Sequence, residues 1–104
     1  AAEQMTADLP TAVIAAYDEV ALAAMHALEQ RGVRVPEEIS FVGINNIPSA
    51  EYFHIPLTTV EVFSDRQSEI AVEILFERIF GEPSERKQIL LPHQLICRKS
   101  VKAV

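Results

Sequence analysis

Ile39–Val60, ISFVGINNIPSAEYFHIPLTTV, joins an apolar run to a polar Asn45-Asn46 turn and then to a Pro-Leu-Thr-Thr-Val segment. Ile39, Phe41, Val42 and Ile44 have the length and residue types of a strand buried within a sheet. In an open α/β sheet, ligands bind beyond the carboxyl ends of parallel strands, so Asn45 and Asn46 stand where a small polar ligand would be read. The pattern belongs to a chain that holds a ligand, not one that transforms it.

Upstream, Thr11–Ala16 is a short apolar run after Pro10, expected as a strand buried on both faces. Asp18 stands as a helix cap. Val20, Ala21, Ala24, Met25, Ala27 and Leu28 then recur at helical spacing until Gly32 stops the run. Pro36, Glu37 and Glu38 make a turn into the Ile39 strand. The order β-α-β predicts parallel strands joined by a right-handed crossover.

Downstream, Pro48 is placed to open a short helical turn through Phe53, and Pro56 ends it before LTTVEV, a third strand or an extended crossover. Ser64 and Gln67 have capping-box spacing and predict a helix to about Phe80, closed by Gly81. Its apolar face, Ile70, Ala71, Ile74, Leu75 and Ile79, is widened by Val72, Phe76 and Phe80, which predicts contact with two surfaces. Glu82–Arg86 reads as a polar loop, and Gln88–Leu91 and Gln94–Arg98 as two short strands split by Pro92.

With 15 acidic and 9 basic residues the formal charge is -6, which argues against a phosphate-contacting surface, since such surfaces concentrate Lys and Arg. The single cysteine, Cys97, forms no internal disulfide, and nothing near it in sequence resembles a zinc site. A reducing, cytoplasmic setting follows. No apolar run approaches the roughly 20 residues that span a bilayer, and AAEQMTADLP lacks a charged-then-apolar secretory pattern, so no membrane contact is expected.

Ser40, Ser64 and Cys97 have no adjacent base in sequence. The three glycines form neither a dinucleotide-binding turn nor a phosphate-cradling loop, so no cofactor is expected. His26, His54 and His93 are too far apart in sequence to read as a metal set. Neither a catalytic residue nor a metal ligand is assigned, and an enzyme is not expected.

Three stretches carry a resemblance. PTAVIAAYDEVALAAMHALEQRGVRVPEEISFVGINNIPSAEY, then PLTTV, then LLPHQLICRKS are similar, in this order and spacing, to the C-terminal part of the effector-binding domain of LacI/GalR (lactose repressor/galactose repressor) transcription regulators. The match covers about Pro10–Ser100. It implies an α/β, periplasmic-binding-protein-like (type I) fold, here a partial domain of parallel strands and flanking helices. Residues 1–56 would belong to the distal subdomain, 57–92 to a crossover and a proximal-subdomain segment, and 93–104 to a return strand and tail.

The resemblance further implies effector contacts from the loops after the first and second strands. Those positions are Tyr17, where the family usually has Asn, Asp18, and Asn45, where it usually has Asp. An amide both donates and accepts, so Asn45 still reads a hydroxyl, without charge assistance. Tyr17 offers an aromatic face that suits stacking on a sugar, or that fills the cleft. Asn46 is expected to bond its own turn. The family dimerises through the distal subdomain, and Leu22, Met25, His26, Tyr52, Phe53 and His54 match that interface.

The implied function is effector sensing and dimerisation in a regulator that binds a small sugar-like molecule and modulates DNA binding. DNA contact would come only through a helix-turn-helix domain without counterpart in these 104 residues. The alternative is part of a periplasmic sugar-binding protein of the same fold. Sheets and helices that depend on strands outside these residues would leave apolar surface uncovered, so the chain alone is expected to self-associate.

Overall fold

The computed structural model describes residues 8–82 and 85–103. Most of the N-terminal decapeptide and the middle of the Glu82–Arg86 loop lie outside the described residues. Chain order is β1 (Ala12–Ile14), α1 (Asp18–Gln30), β2 (Ser40–Ile44), a 3-10 turn (Pro48–Tyr52), β3 (Thr58–Glu61), α2 (Ser64–Phe80) and β4 (Gln94–Ile96). The strands form one sheet in the order β1-β2-β3-β4. β1 and β3 both run parallel to β2, with Val13 opposite Phe41 and Gly43 opposite Thr59, while β4 is antiparallel to β3.

α1 forms because Asp18, Ala21, Met25 and Leu28 recur at three- and four-residue intervals, and all four are buried. Gly32 ends it by taking the left-handed backbone (φ 81°), and the Val33 N–H returns to the Leu28 carbonyl at 3.0 Å. That helical face closes over Ile39, Phe41 and Leu57, with Val35 and Ala50 completing the core. Burying each large side chain here stabilises the fold by about 1.5–3 kcal/mol. Asp18 is the first helical residue and not the cap: Tyr17 holds that position without a side-chain cap bond, and the Asp18 carboxylate turns into the protein.

β1 is not buried on both faces as its composition predicts. It is an edge strand, and Ile14, 75% exposed, points to a side that no described residue covers. α2 has the expected limits but not the expected cap. Phe63 stands before it in the left-handed conformation (φ 53°, ψ 52°), and Gln67 Nε2 reaches back to the Val62 carbonyl. None of its residues is buried: Ile70 and Ile74 are half-buried, and the rest of the broad apolar face read from the sequence is exposed among the described residues. Gln88–Leu91 does not pair as a strand, and only Gln94–Ile96 joins the sheet. With α2 projecting, the chain measures 60 × 24 × 23 Å, with a radius of gyration of 18.3 Å against about 13 Å for a compact domain of this length.

The segment after β4 is bound back to the start of the sheet through Ser100, which is fully buried. Its Oγ donates to the Phe41 carbonyl at 2.6 Å and accepts the Thr58 N–H at 2.8 Å, while its carbonyl accepts the Phe41 N–H. One hydroxyl thus ties together β2, β3 and the C-terminal segment.

Candidate functional site

The C-terminal ends of β2 and β3 open onto a polar cleft of about 490 Å³ lined by Asn45, Asn46, Glu61, Phe63, Asp65 and Arg66, with Pro48, Ser64 and Glu69 at its edges. This volume falls in the range of small-molecule sites. Asn45 (φ 114°), Asn46 (φ 51°) and Phe63 are the non-glycine residues that take positive φ among the described residues, and all three line it. Asparagine tolerates this conformation through local hydrogen bonding, whereas phenylalanine is strained by it. Strain of this kind persists where surrounding contacts impose it, and it concentrates at ligand sites.

Those contacts are specific. Asn45 N–H donates to the Val60 carbonyl at 3.0 Å, Asn46 N–H to Thr59 Oγ1 at 3.2 Å and Ile47 N–H to Asp18 Oδ2 at 2.8 Å. Thr59 Oγ1 in turn donates to Asp18 Oδ1 at 2.6 Å. Both carboxylate oxygens of the fully buried Asp18 are therefore occupied, one by the turn after β2 and one by β3. Gly43 makes room for this: a Cβ there would overlap the Asp18 carboxylate and stand 2.9 Å from Leu57 Cδ2. On the far side, Glu61 Oε1 accepts from Asn46 Nδ2 at 3.4 Å, and Oε2 accepts the Phe63 N–H at 3.2 Å, which fixes the left-handed residue.

Tyr17 and Asn45 follow the C-terminal ends of adjacent parallel strands, as the sequence predicts, but only Asn45 lines the cleft. Tyr17 is 56% exposed and outside its lining. Asp18 faces the inside of the turn, so it supports the cleft from behind. Asn46 does not bond its own turn; it bonds β3 and, through Oδ1, Arg98 Nη2 at 2.9 Å. Glu61 and Phe63, which line the cleft, and Arg98, which bonds the Asn46 side chain, escape sequence reasoning. The available signal was the Glu61 carboxylate at the end of an otherwise uncharged strand, followed by an aromatic before the helix.

Of the positions matched to a subunit interface, Leu22, His26, Tyr52 and His54 are exposed and Phe53 is half-buried. Met25 is a correction: at 2% exposure it belongs to the core, because it lies on the same α1 face as Ala21 and Leu28. A second, apolar groove of about 410 Å³ runs between α2 and the segment before β4, lined by Ile70, Ala71, Ile74, Ile89 and Leu90 among others. Its polar lining is Gln67 and His93, with no carboxylate to set beside the paired amides and carboxylates of the cleft, and we assign the candidate site to the polar one. Among the described residues, no set of three His, Cys, Asp or Glu side chains is placed to hold a metal ion, and no helix is long and apolar enough to cross a membrane.

Residues 1–101 match the periplasmic binding protein-like domain family. The chain belongs to that family. Within it, the chain is part of the ligand-binding domain of a LacI/GalR-type regulator. It is 43% identical over 95 residues to the HTH-type transcriptional repressor PurR of Pasteurella multocida, covering 91% of this chain and 28% of the repressor. It superimposes with a TM-score of 0.90 on a LacI-type transcription regulator from Bifidobacterium animalis, at 34% identity over 99% of this chain and 38% of the other. A LacI family regulator from Enterococcus faecium, determined with bound ribose, gives a TM-score of 0.88 at 28% identity, over 96% of this chain and 37% of its own. The chain thus spans little more than a quarter of the curated relative's length. The polar cleft lies at the strand ends of this LacI/GalR-type domain.

Proposed function

We propose that the chain is the effector-sensing portion of a LacI/GalR-type transcription regulator, and that the cleft at Asn45, Asn46, Glu61 and Phe63 takes a small, hydroxyl-rich ligand of the sugar class. The observation that carries this is the convergence of three left-handed non-glycine residues with paired amide and carboxylate groups on one cleft at the strand ends. Amides and a carboxylate match hydroxyls that both donate and accept, and Phe63 offers an aromatic face for the apolar side of a sugar ring. Ribose in the Enterococcus faecium regulator supports the same ligand class. Asn45 contacts the ligand directly, Asp18 holds the turn, and Tyr17 reaches the ligand only when the lobes close.

In this assignment residues 1–56 form the distal subdomain, 57–92 the crossover and proximal segment, and 93–104 the return strand and tail. Ligand binding draws the two subdomains together and changes DNA affinity through a helix-turn-helix domain elsewhere in the protein. Leu22, His26, Tyr52, Phe53 and His54 contribute to a homodimer contact. The Pasteurella multocida, Bifidobacterium animalis and Enterococcus faecium relatives, each named as a transcription regulator or repressor, favour this assignment over a periplasmic transport protein. Calorimetric titration of the intact protein with pentoses, hexoses and disaccharides tests it: at least one should bind, with affinity reduced roughly tenfold or more in Asn45→Ala, the equivalent of one hydrogen bond. Binding that is indifferent to Asn45→Ala, or no binding across the panel, would refute the assignment.

A further inference from the structure

We propose that Arg98 is a positioning residue that sets the polarity of the cleft by locking the Asn46 side-chain amide in one orientation; this rests on the cleft being the effector site. Arg98 is itself fixed at three points. Its backbone N–H donates to Thr58 Oγ1 at 2.9 Å, Nη1 donates to the Leu57 carbonyl at 2.9 Å, and Nη2 donates to Asn46 Oδ1 at 2.9 Å. A guanidinium has donors only and a carboxylate acceptors only. The amide therefore has one arrangement that satisfies both neighbours: oxygen toward Arg98 and nitrogen toward Glu61, where Nδ2 stands 3.4 Å from Oε1. With the amide turned over, Nδ2 would face the guanidinium and Oδ1 the carboxylate, both repulsive.

The cleft consequently presents a donor, the second Asn46 Nδ2 hydrogen, beside an acceptor, the Glu61 carboxylate. That pair reads a ligand hydroxyl through both its oxygen and its hydrogen. Arg98 touches no ligand in this scheme. It acts through Asn46, and it ties the cleft to the carbonyl at the start of β3 and so to the Pro56–Leu57 crossover.

The test uses the intact protein with selective 15N-Asn labelling. In wild type the Asn46 side-chain hydrogens should exchange slowly with water, and Arg98→Met should speed that exchange roughly tenfold, with Arg98→Lys intermediate because it keeps the charge but lacks the fork. With D-ribose, D-glucose and their monodeoxy analogues as probes, wild type should discriminate against one deoxy analogue by roughly tenfold, and that ratio should fall toward one in Arg98→Met. A purely structural role would weaken parent and analogue alike. Unchanged exchange in folded Arg98→Met, or an unchanged discrimination ratio, overturns the proposal. Should Arg98→Met not fold, wild-type exchange as fast as that of a free amide, or Arg98→Lys exchange equal to wild type, overturns it instead. If no sugar binds, the ligand assignment fails while the amide exchange still decides the role of Arg98.

Discussion

Asp18 and Gly43 show how closely the site depends on single groups. Replacing Asp18 by Asn keeps the shape but turns one acceptor into a donor, so either the Thr59 hydroxyl hydrogen or the Ile47 N–H loses its acceptor inside the protein. A loss of about 1–3 kcal/mol is expected, measurable as a lower urea midpoint at unchanged slope. Gly43→Ala forces a methyl group against the same carboxylate and should cost about as much, at the upper end of overpacking penalties. Ser100→Ala removes a hydroxyl that both donates and accepts between β2 and β3, and about 1–3 kcal/mol should again be lost in urea titration. The position of the Asn-Asn turn at the strand ends, where it lines the cleft, was legible because it follows from chain order after a buried strand. The partners of Asn46 were not, because Arg98 lies 52 positions away and only the antiparallel return of β4 brings it back.

At the level of elements, α1, β2 and the limits of α2 were readable because local spacing and stop residues determine them. What local pattern cannot supply is the surface opposite each element. The apolar faces of β1 and α2 were read correctly as apolar, yet Ile14, Leu75, Phe76 and Phe80 are exposed, because the partners such faces demand are not among the described residues. Met25 was misplaced for the same reason: helical spacing tells which residues share a face, not which face meets the sheet. The contrast between the two helices leads to an exchange prediction. In the 104-residue chain, α1 amides at Ala21–Leu28 should be protected close to the global stability, while those of α2 exchange orders of magnitude faster. Equal protection of both helices would show that α2 is packed.

For the molecule as a whole, the elongated shape and the exposed row Leu75, Phe76, Ile79, Phe80 and Leu90 predict association of the isolated chain. Light scattering across a concentration series should show species above monomer mass, and Phe76→Glu with Ile79→Glu should shift them back toward monomer with little change in the unfolding of the α1 core. A monomer at all concentrations would contradict this. The central claim concerns where the ligand sits, and hydrogen exchange of the intact protein with and without a saturating sugar identified by calorimetry tests it most directly. Protection is predicted at residues 45–47 and 59–63, around the polar cleft. Protection confined to residues 67–74 and 89–93, along the apolar groove, with none at the Asn-Asn turn, would contradict it.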